Sequence, residues 1–250
     1  MVDIFVLVKD RKEFTALTLD HLERFTNFDL VHRLVLVNDS STDGAAELCR
    51  AWVERVGRGE VIDIEGGTVT NALFHGSAPY LDDPVRWMVK LDNDLIVSER
   101  WLDKMVSIAE RAIRHVDMVG FPMVGSFFET SPEEAWADRE PEEYEVASAP
   151  YTGGNFIMRW NMFKLIRHVG VVEDPVNYLQ NSLSEVHQTM SQRGFLKVGV
   201  IVPALPVFKL DKVVLSGYRD YGFLERRGLE LSGAANDREI ANDRFPVQHG

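Results

Sequence analysis

Short apolar runs alternate with amphipathic segments through the first half of the chain. The runs at residues 3–8, 34–37, 61–64 and 85–91 suit buried strands. Between them, residues 13–26, 45–56 and 71–78 repeat apolar side chains at helical spacing, and Gly57 marks the end of the second helix. Strands that alternate with helices form right-handed βαβ units. The pattern therefore predicts an α/β fold with a Rossmann-like, mainly parallel sheet flanked by helices.

The second half of the chain is less regular. It predicts a helix capped by Ser98, a strand at residues 118–124, a glycine turn and strand at 151–159, and a helix capped by Asn161. A helix at 182–192 and a strand at 196–202 follow, and apolar periodicity fades from residue 216. We therefore expect one domain over residues 1–215 and a C-terminal extension over residues 216–250.

Two of the predicted strands end in carboxylates. One runs into Asn38-Asp39, and the other into Asp92-Asn93-Asp94. In open α/β sheets, ligands bind beyond the carboxyl ends of the strands. Asp92 and Asp94 lie one residue apart on an extended chain, so they point the same way and suit Mg²⁺ or Mn²⁺ held together with a diphosphate. An Asp-rich turn is the alternative interpretation.

The segment from Asn38 to Gly44 joins the second strand to the second helix. Backbone N–H groups and the positive end of that helix therefore face the ligand side. A carboxylate at Asp39 can accept hydrogen bonds from a ribose or from a base N–H. Asp43 is predicted to serve only the turn and the helix cap.

Composition and charge exclude some classes of partner. The 250 residues are 45% hydrophobic and 26% charged, and the net charge is −12. A nucleic acid or an anionic membrane needs a basic surface, so neither is expected as a partner. Acidic side chains concentrate in residues 129–145, which predicts a solvated loop or, alternatively, a mobile flap beside an acceptor site.

Cys49 is the chain's only cysteine, which excludes an intrachain disulfide and a cysteine-cluster metal site. Its place on an amphipathic helix predicts a core residue. Residues 1–8 read as a first strand rather than a signal peptide, and no apolar run approaches the ~20 residues that span a bilayer. We therefore expect no transmembrane segment and a cytoplasmic protein.

Five segments occur in the order seen in one enzyme family. They are Val8-Lys9-Asp10-Arg11, residues 37–44, Thr70-Asn71, Leu91-Asp92-Asn93-Asp94, and Gly153-Gly154-Asn155 with Arg159. Together, over roughly residues 4–211, they resemble the family 2 glycosyltransferases of the GT-A fold. Within the first and third of these segments, Asp10 replaces an Asn of the family's pattern, and Thr70 replaces an Arg that contacts the diphosphate.

The resemblance implies a role for each matching residue. The implied nucleotide contacts are Asp10, Arg11, Asp39, Asn71 and Asp92. The implied metal ligands are Asp94 and Asp211, with Mn²⁺ or Mg²⁺ as the cofactor, and the implied acceptor or diphosphate contacts are Gly153, Gly154, Asn155 and Lys209. Residues 1–97 are then the nucleotide-binding half of the domain, and residues 98–215 are the acceptor-binding half.

The chain differs most from the family's pattern at the segment that carries the general base. Ser182 and Leu183 replace the family's Glu-Asp pair, which leaves Glu185 as the carboxylate that can deprotonate an acceptor hydroxyl. The alternative role for Glu185 is to complement the helix dipole. His187 lies two residues further on, and is predicted to be packed or solvated rather than catalytic.

By this resemblance the chain is expected to move a hexose from a nucleotide-sugar, taken as a UDP-sugar, to an acceptor hydroxyl with inversion. The acceptor stays open among a glycan, a lipid-linked glycan, a protein and a modified nucleobase. One alternative is a sugar nucleotidyltransferase, which needs a glycine-rich phosphate loop, whereas residues 9–13 contain no glycine. The other is a nucleotide-sugar-binding module that has lost its general base.

Overall fold

Strands and helices follow one another much as the apolar pattern predicts. The computed structural model describes residues 1–65, 67–120, 139–152, 154–169, 182–205 and 207–209. The strands are β1 Val2–Val8, β2 Val31–Asp39, β3 Glu60–Ile64, β4 Trp87–Asp92, β5 Leu95–Val97, β6 Met118–Gly120, β7 Glu145–Ala149, β8 Phe156–Arg159, β9 Val198–Val202 and β10 Val207–Lys209. The helices are α1 Lys12–Phe25, α2 Ala45–Val56, α3 Val69–Gly76, α4 Trp101–Ala112, α5 Trp160–His168 and α6 Leu183–Gln192.

Within the described ranges, eight strands form one sheet in the order β3-β2-β1-β4-β8-β6-β9-β7. The first four strands in this order are mutually parallel, and β6 is parallel to β9. β8 is antiparallel to β4 and β6, and β7 is antiparallel to β9. The predicted mainly parallel α/β sheet is thus confirmed. Because β2 and β4 flank β1 on opposite sides, the carboxyl ends of these three strands surround a topological switch point.

The centre of the sheet is apolar on both faces. All seven residues of β1 are buried, as expected for a parallel strand that is covered on both sides. Its alternate side chains enter two separate clusters: Ile4 and Val6 pack with residues of α1, α2 and α4, and Phe5 and Leu7 pack with residues of α3, α5 and α6. The layers of helices therefore hold the central strands rigidly, and the polar groups at the strand ends inherit that rigidity.

The helices match the predicted stop signals and core positions. Gly57 ends α2 in the left-handed region at φ 69°, where its N–H bonds the carbonyl of Val53. Cys49 is wholly buried in that helix, and burial raises the pKa of its thiol to about 12. Among the described residues, no helix is long and apolar enough to cross a membrane.

Two predicted helix caps are wrong. α4 begins at Trp101 because the backbone turns at Arg100, which takes a positive φ of 59°, and Ser98 lies two residues before Arg100. α5 begins at Trp160, ahead of Asn161. Trp160 is held there because its buried indole N–H donates to the carboxylate of Asp3 at 2.8 Å.

Three short strands carry no recognisable sequence signal. β5 and β10 are three residues each and pair only with one another, antiparallel, away from the main sheet. β7 is the last strand of the sheet order and begins at Glu145, inside the acidic stretch that was predicted to be a loop. Residues 121–138 lie outside the described residues. They include most of the acidic stretch (residues 129–138) and the end of the predicted strand (residues 121–124). The extension at 216–250 also lies outside the described residues.

Candidate active site

The carboxyl ends of β1 and β4 open into a cavity of about 400 Å³, and the end of β2 contributes Asp39 to its wall. Of the residues predicted from the sequence, Arg11, Asp39, Asp92, Asp94 and Gly154 line it. Side chains of the first turns of α3 and α6 complete the wall: Val69, Ala72, Leu183 and Ser184. The two acidic strand ends, 53 residues apart in the sequence, thus meet at one site.

Asp39 is held from two directions at the end of β2. Its Oδ2 pairs with the Lys9 ammonium at 3.0 Å, and its Oδ1 accepts a hydrogen bond from the backbone N–H of Gly67 at 3.1 Å. The Asp39 side chain is 7% exposed, whereas that of Lys9 is 54% exposed. The carboxylate is therefore fixed in orientation while its cationic partner remains open to solvent and to an incoming anion.

Asp92 is clamped at both oxygens. The Lys90 ammonium, which is wholly buried, pairs with Oδ1, and the Asn155 amide donates to Oδ2 at 3.3 Å. Asn155 also accepts the backbone N–H of Asp92 at 2.8 Å. A Cβ on Gly154 would lie 3.0 Å from both the Asp92 Oδ2 and the Lys90 Nζ, so the backbone approaches this ion pair as closely as only glycine allows.

Lys90 is a site residue that the sequence analysis missed. A lysine inside an otherwise apolar strand was a usable signal, because a buried charge requires a partner. Strand alternation puts Lys90 on the same side of β4 as Asp92, two residues on, which identifies that partner.

Asp94 faces the same cavity from the turn between β4 and β5. Its side chain is 2% exposed and pairs with the guanidinium of Arg11, which is 35% exposed. The intervening Asn93 bonds the carbonyl of Asp10 and the hydroxyl of Thr15, both at 2.8 Å. β4 ends at Asp92, so this anchored turn, rather than the strand alternation that predicted it, brings Asp94 into the cavity wall beside Asp92.

Asp10 connects the loop between β1 and α1 to the loop after β2. Its Oδ1 accepts the N–H of Thr42 at 2.7 Å, and its own N–H donates to the hydroxyl of Ser41 at 2.9 Å. Asp10 and Arg11 both have positive φ, 53° and 59°, which costs about 1–2 kcal/mol per residue outside glycine. These cross-loop hydrogen bonds hold Asp10 against the neighbouring loop, and Arg11 next to it lines the cavity.

Asp43 serves the turn and the helix start, as predicted. Its Oδ1 accepts the N–H of Ala45 at 3.0 Å, the first residue of α2, and its Oδ2 accepts the N–H of Lys12 at 2.7 Å. The formal cap residue is Gly44, at φ 88°. Asp43 thus gives the β1–α1 loop a second tie to the loop after β2.

The structure places Asn71 in the first turn of α3, where its N–H donates to the hydroxyl of Thr68, the cap residue, at 3.1 Å. Thr70, which stands in place of the family's Arg, is buried. The α3 side chains that line the cavity are Val69 and Ala72. This wall is therefore apolar, and a nucleotide contact from Asn71 stays a prediction.

Glu185 forms a capping box at the start of α6. Its Oε2 accepts the N–H and the hydroxyl of Ser182, each at 2.8 Å, and these hydrogen bonds lower the pKa of the exposed Glu185 carboxyl. Ser182 and its neighbour Leu183 line the cavity. The observed contacts give Glu185 the helix-start role considered in the sequence analysis, and its role as general base stays a prediction.

His187 is packed in the core, as predicted. It meets the ring of Phe156 edge-on, with 5.0 Å between centroids, and burial lowers its pKa to about 3. The imidazole is therefore neutral at physiological pH and lies behind the cavity wall.

Several predicted residues fall outside what the structure describes. Gly153 and Asp211 are not described, and Lys209 is described only by its backbone, which pairs with Leu95 of β5. Within the described ranges, no group of three or more His, Cys, Asp or Glu side chains is arranged to hold a metal ion. A cation here would therefore need oxygen ligands from a substrate as well as from protein carboxylates.

Solved structures with a similar fold include S. aureus TarS and the mannosyltransferase PcManGT. The crystal structure of S. aureus TarS 1-349 is 14% identical to this sequence and covers 84% of this chain and 60% of that chain, with a TM-score of 0.56. Its complex with UDP-GlcNAc is 13% identical over 86% of this chain and 64% of that chain, also with a TM-score of 0.56. The mannosyltransferase PcManGT from Pyrobaculum calidifontis, in complex with GDP-Man and Mn²⁺, is 15% identical to this sequence. The match covers 80% of this chain and 56% of that chain, with a TM-score of 0.51.

The chain thus spans less than two thirds of the length of each of these three structures. No curated protein matches the sequence. The family model "Glycosyl transferase family 2" matches residues 3–169, which include both acidic strand ends and most of the cavity wall. Because this match covers more than half of the chain, the chain belongs to glycosyl transferase family 2.

Proposed function

We propose that this chain transfers a sugar from a nucleotide-sugar to an acceptor hydroxyl, with inversion and with the help of a divalent cation. The observation that carries the proposal is the meeting of Asp39, Asp92 and Asp94 in one cavity at the switch point of the sheet. A UDP-sugar is the first donor to test, because the TarS structures bind UDP and UDP-GlcNAc and have the higher TM-scores.

The residues present fit a hard divalent cation. Asp92 and Asp94 offer carboxylate oxygens at one site, and the guanidinium of Arg11 already occupies the position of a cation on Asp94. Mg²⁺ and Mn²⁺ bind through one or two carboxylates and complete their shell with water and diphosphate oxygens. Such an ion would neutralise negative charge on the leaving diphosphate. Asp211, which the family pattern also suggests, lies beyond the described residues.

The chain's own residues position the donor. Asp39 and Asp92 are held by fixed partners, so each carboxylate can accept nucleoside hydrogen bonds with little reorganisation. Lys9 and Arg11 bring positive charge to the cavity wall, where the diphosphate accumulates negative charge as it leaves. In the reaction, the acceptor oxygen bonds to the anomeric carbon, the bond from that carbon to the diphosphate oxygen breaks, and the acceptor proton passes to a base.

The release of nucleoside diphosphate from donor sugars tests this proposal. We expect turnover by the wild type with a UDP-sugar and Mn²⁺, and a fall of at least about 100-fold in Asp94→Asn, the size of effect seen when one charge-stabilising group is lost. Asp82→Asn, at an exposed position, should match the wild type. Undiminished turnover in Asp94→Asn would refute the metal role of this carboxylate.

Glu185 is the proposed base, and Glu185→Gln examines it without dismantling the helix. Gln also completes a capping box, so the free energy of unfolding should change little. A base role requires kcat to fall about 100-fold or more, with donor affinity unchanged. Full activity in Glu185→Gln would leave the carboxylate with its helix-start role alone.

A nucleotide-sugar-binding module without turnover is the second candidate. It is favoured by the contacts of Glu185, whose oxygen is engaged by Ser182, and by Leu183, an apolar side chain that lines the cavity where the family carries a carboxylate. Calorimetric binding of UDP-sugar, with no release of UDP on any acceptor tried, would support this candidate over the enzyme.

A further inference from the structure

The two carboxylates of the Asp-x-Asp motif have cationic partners of different kinds. Lys90, which pairs with Asp92, is wholly buried and is enclosed by Gly154 and Asp92. Arg11, which pairs with Asp94, is 35% exposed. The side chain of Lys90 has no exposed surface, whereas the guanidinium of Arg11 reaches solvent and can leave Asp94 by rotation of its side chain.

Arg11 reaches Asp94 from a strained backbone conformation. Its φ of 59° and ψ of 49° are left-handed, directly after the left-handed Asp10. The carbonyl of Arg11 accepts the hydroxyl of Thr15 at 3.0 Å, and the carbonyl of Asp10 accepts the amide of Asn93 at 2.8 Å. The loop is thus tied to the same turn that carries Asp94, so the ion pair is built into the site.

We propose that Arg11 is an exchangeable counter-ion of Asp94, which keeps that buried carboxylate neutralised until a divalent cation arrives together with the nucleoside diphosphate. The guanidinium repels a second cation at this nearly buried carboxylate, so binding of a divalent ion to Asp94 favours the departure of Arg11. The displaced guanidinium remains on the cavity wall, where it can pair with the diphosphate. This inference rests on the proposed function for the divalent cation and for the anion that accompanies it.

The proposed exchange predicts how the affinity for Mn²⁺ differs between the absence and the presence of UDP. Mn²⁺ alone must compete with a charge-assisted hydrogen bond to a nearly buried carboxylate, so it binds weakly. When UDP is present, the diphosphate supplies both metal ligands and a new partner for Arg11, so Mn²⁺ binds more tightly. Removal of the guanidinium should therefore strengthen the binding of Mn²⁺ alone and reduce the gain that UDP confers.

The test is a titration of Mn²⁺ in which free Mn²⁺ is followed by electron paramagnetic resonance, with and without UDP. Without UDP, Arg11→Gln should bind Mn²⁺ about tenfold or more tightly than the wild type. Lys12→Gln removes the same charge from the neighbouring exposed residue, and should bind Mn²⁺ within about twofold of the wild type. Asp94→Asn placed in the Arg11→Gln background should abolish the gain.

Arg11→Gly protects the test against a folding defect, because glycine adopts the positive φ at this position without strain. It should reproduce the gain in Mn²⁺ affinity seen in Arg11→Gln. The proposal is overturned if either Arg11 variant binds Mn²⁺ no more tightly than the wild type, or if Lys12→Gln shows the same gain. The UDP-free arm involves neither donor nor turnover, so it stays readable even if no variant binds UDP and the proposed function fails.

Discussion

At the scale of single residues, the ion pair of Lys90 and Asp92 combines structure with function. Lys90 is wholly buried, and Asp92 is 21% exposed and faces the cavity. The lysine therefore holds a carboxylate that a donor would use, and it does so from inside the core. Asn155 fixes the second oxygen of Asp92, so the orientation of this carboxylate depends on one partner within β4 and one directly before β8.

Lys90→Met should lower the free energy of unfolding by up to about 3–5 kcal/mol, because it leaves a partly buried carboxylate without its counter-charge. Asp92→Asn added to Lys90→Met removes that unpaired charge and should recover part of the loss. Urea denaturation of the wild type, both single variants and the double variant measures this coupling. Strictly additive effects would show that the two side chains do not interact.

The three acidic residues that line the cavity were predicted from the sequence, but their partners were not. Asp39, Asp92 and Asp94 could be identified because each follows an apolar run that predicts a strand end. The pairing of Lys90 with Asp92 was readable from strand alternation and was missed, whereas the pairing of Arg11 with Asp94 depends on a side-chain direction that tertiary packing sets. Glu185 was also visible as a carboxylate at a helix start, yet its engagement by Ser182 only emerged from the geometry.

At the scale of elements, the loop between β1 and α1 organises the site. It bonds the loop after β2 through Asp10 and Lys12, and the turn after β4 through the carbonyl of Asp10 and the guanidinium of Arg11. Two consecutive left-handed residues in this loop were not predictable, because the sequence offers neither glycine nor asparagine there. The strand ends alone would not set the distance between the two acidic segments, and this loop does.

Two substitutions at Asp10 measure how much the hydrogen bonds of this loop contribute to the stability of the fold. Asp10→Asn keeps a side-chain oxygen for the N–H of Thr42 and tolerates the left-handed backbone, so its stability should stay within about 0.5 kcal/mol of the wild type. Asp10→Ala loses that acceptor and suits the backbone less well, and should cost about 2 kcal/mol. Thermal and urea denaturation provide the comparison, and equal stability of the two variants would contradict the proposed tie.

At the scale of the whole molecule, helices on both faces of the sheet enclose two neutral histidines. Burial lowers the pKa of His21 and of His187, the latter to about 3 from the ordinary 6.5. Just below pH 6.5 the unfolded chain binds protons at these positions more readily than the folded chain does, so both histidines make stability fall as the pH drops below 6.5, and for His187 the fall continues towards pH 3.

His187→Leu should therefore flatten the dependence of the unfolding free energy on pH between 7 and 5. His168→Leu, at an exposed position, should leave that dependence unchanged. Urea denaturation at the two pH values suffices to compare them with the wild type. An unaltered slope in His187→Leu would mean that this histidine already takes up a proton in the folded state.

The overall α/β architecture followed from hydrophobic periodicity, because most of the strands and helices in residues 1–97 are long enough to show it. The mixed part of the sheet did not follow, since β6 to β9 combine short strands with antiparallel neighbours brought together from distant positions. The two acidic strand ends were thus readable from the sequence, whereas the later segments of the chain have weak patterns.

The central claim is that Asp39, Asp92 and Asp94 form one donor site, and a crystal structure of this chain with UDP and Mn²⁺ tests it most directly. The account predicts the uridine against Asp39 and Asp92, with Mn²⁺ on Asp94 and the diphosphate beside Arg11 and Lys9. A nucleotide bound elsewhere, for example in the separate cavity beside Arg86 and Lys164, or Mn²⁺ bound away from Asp94, would contradict it.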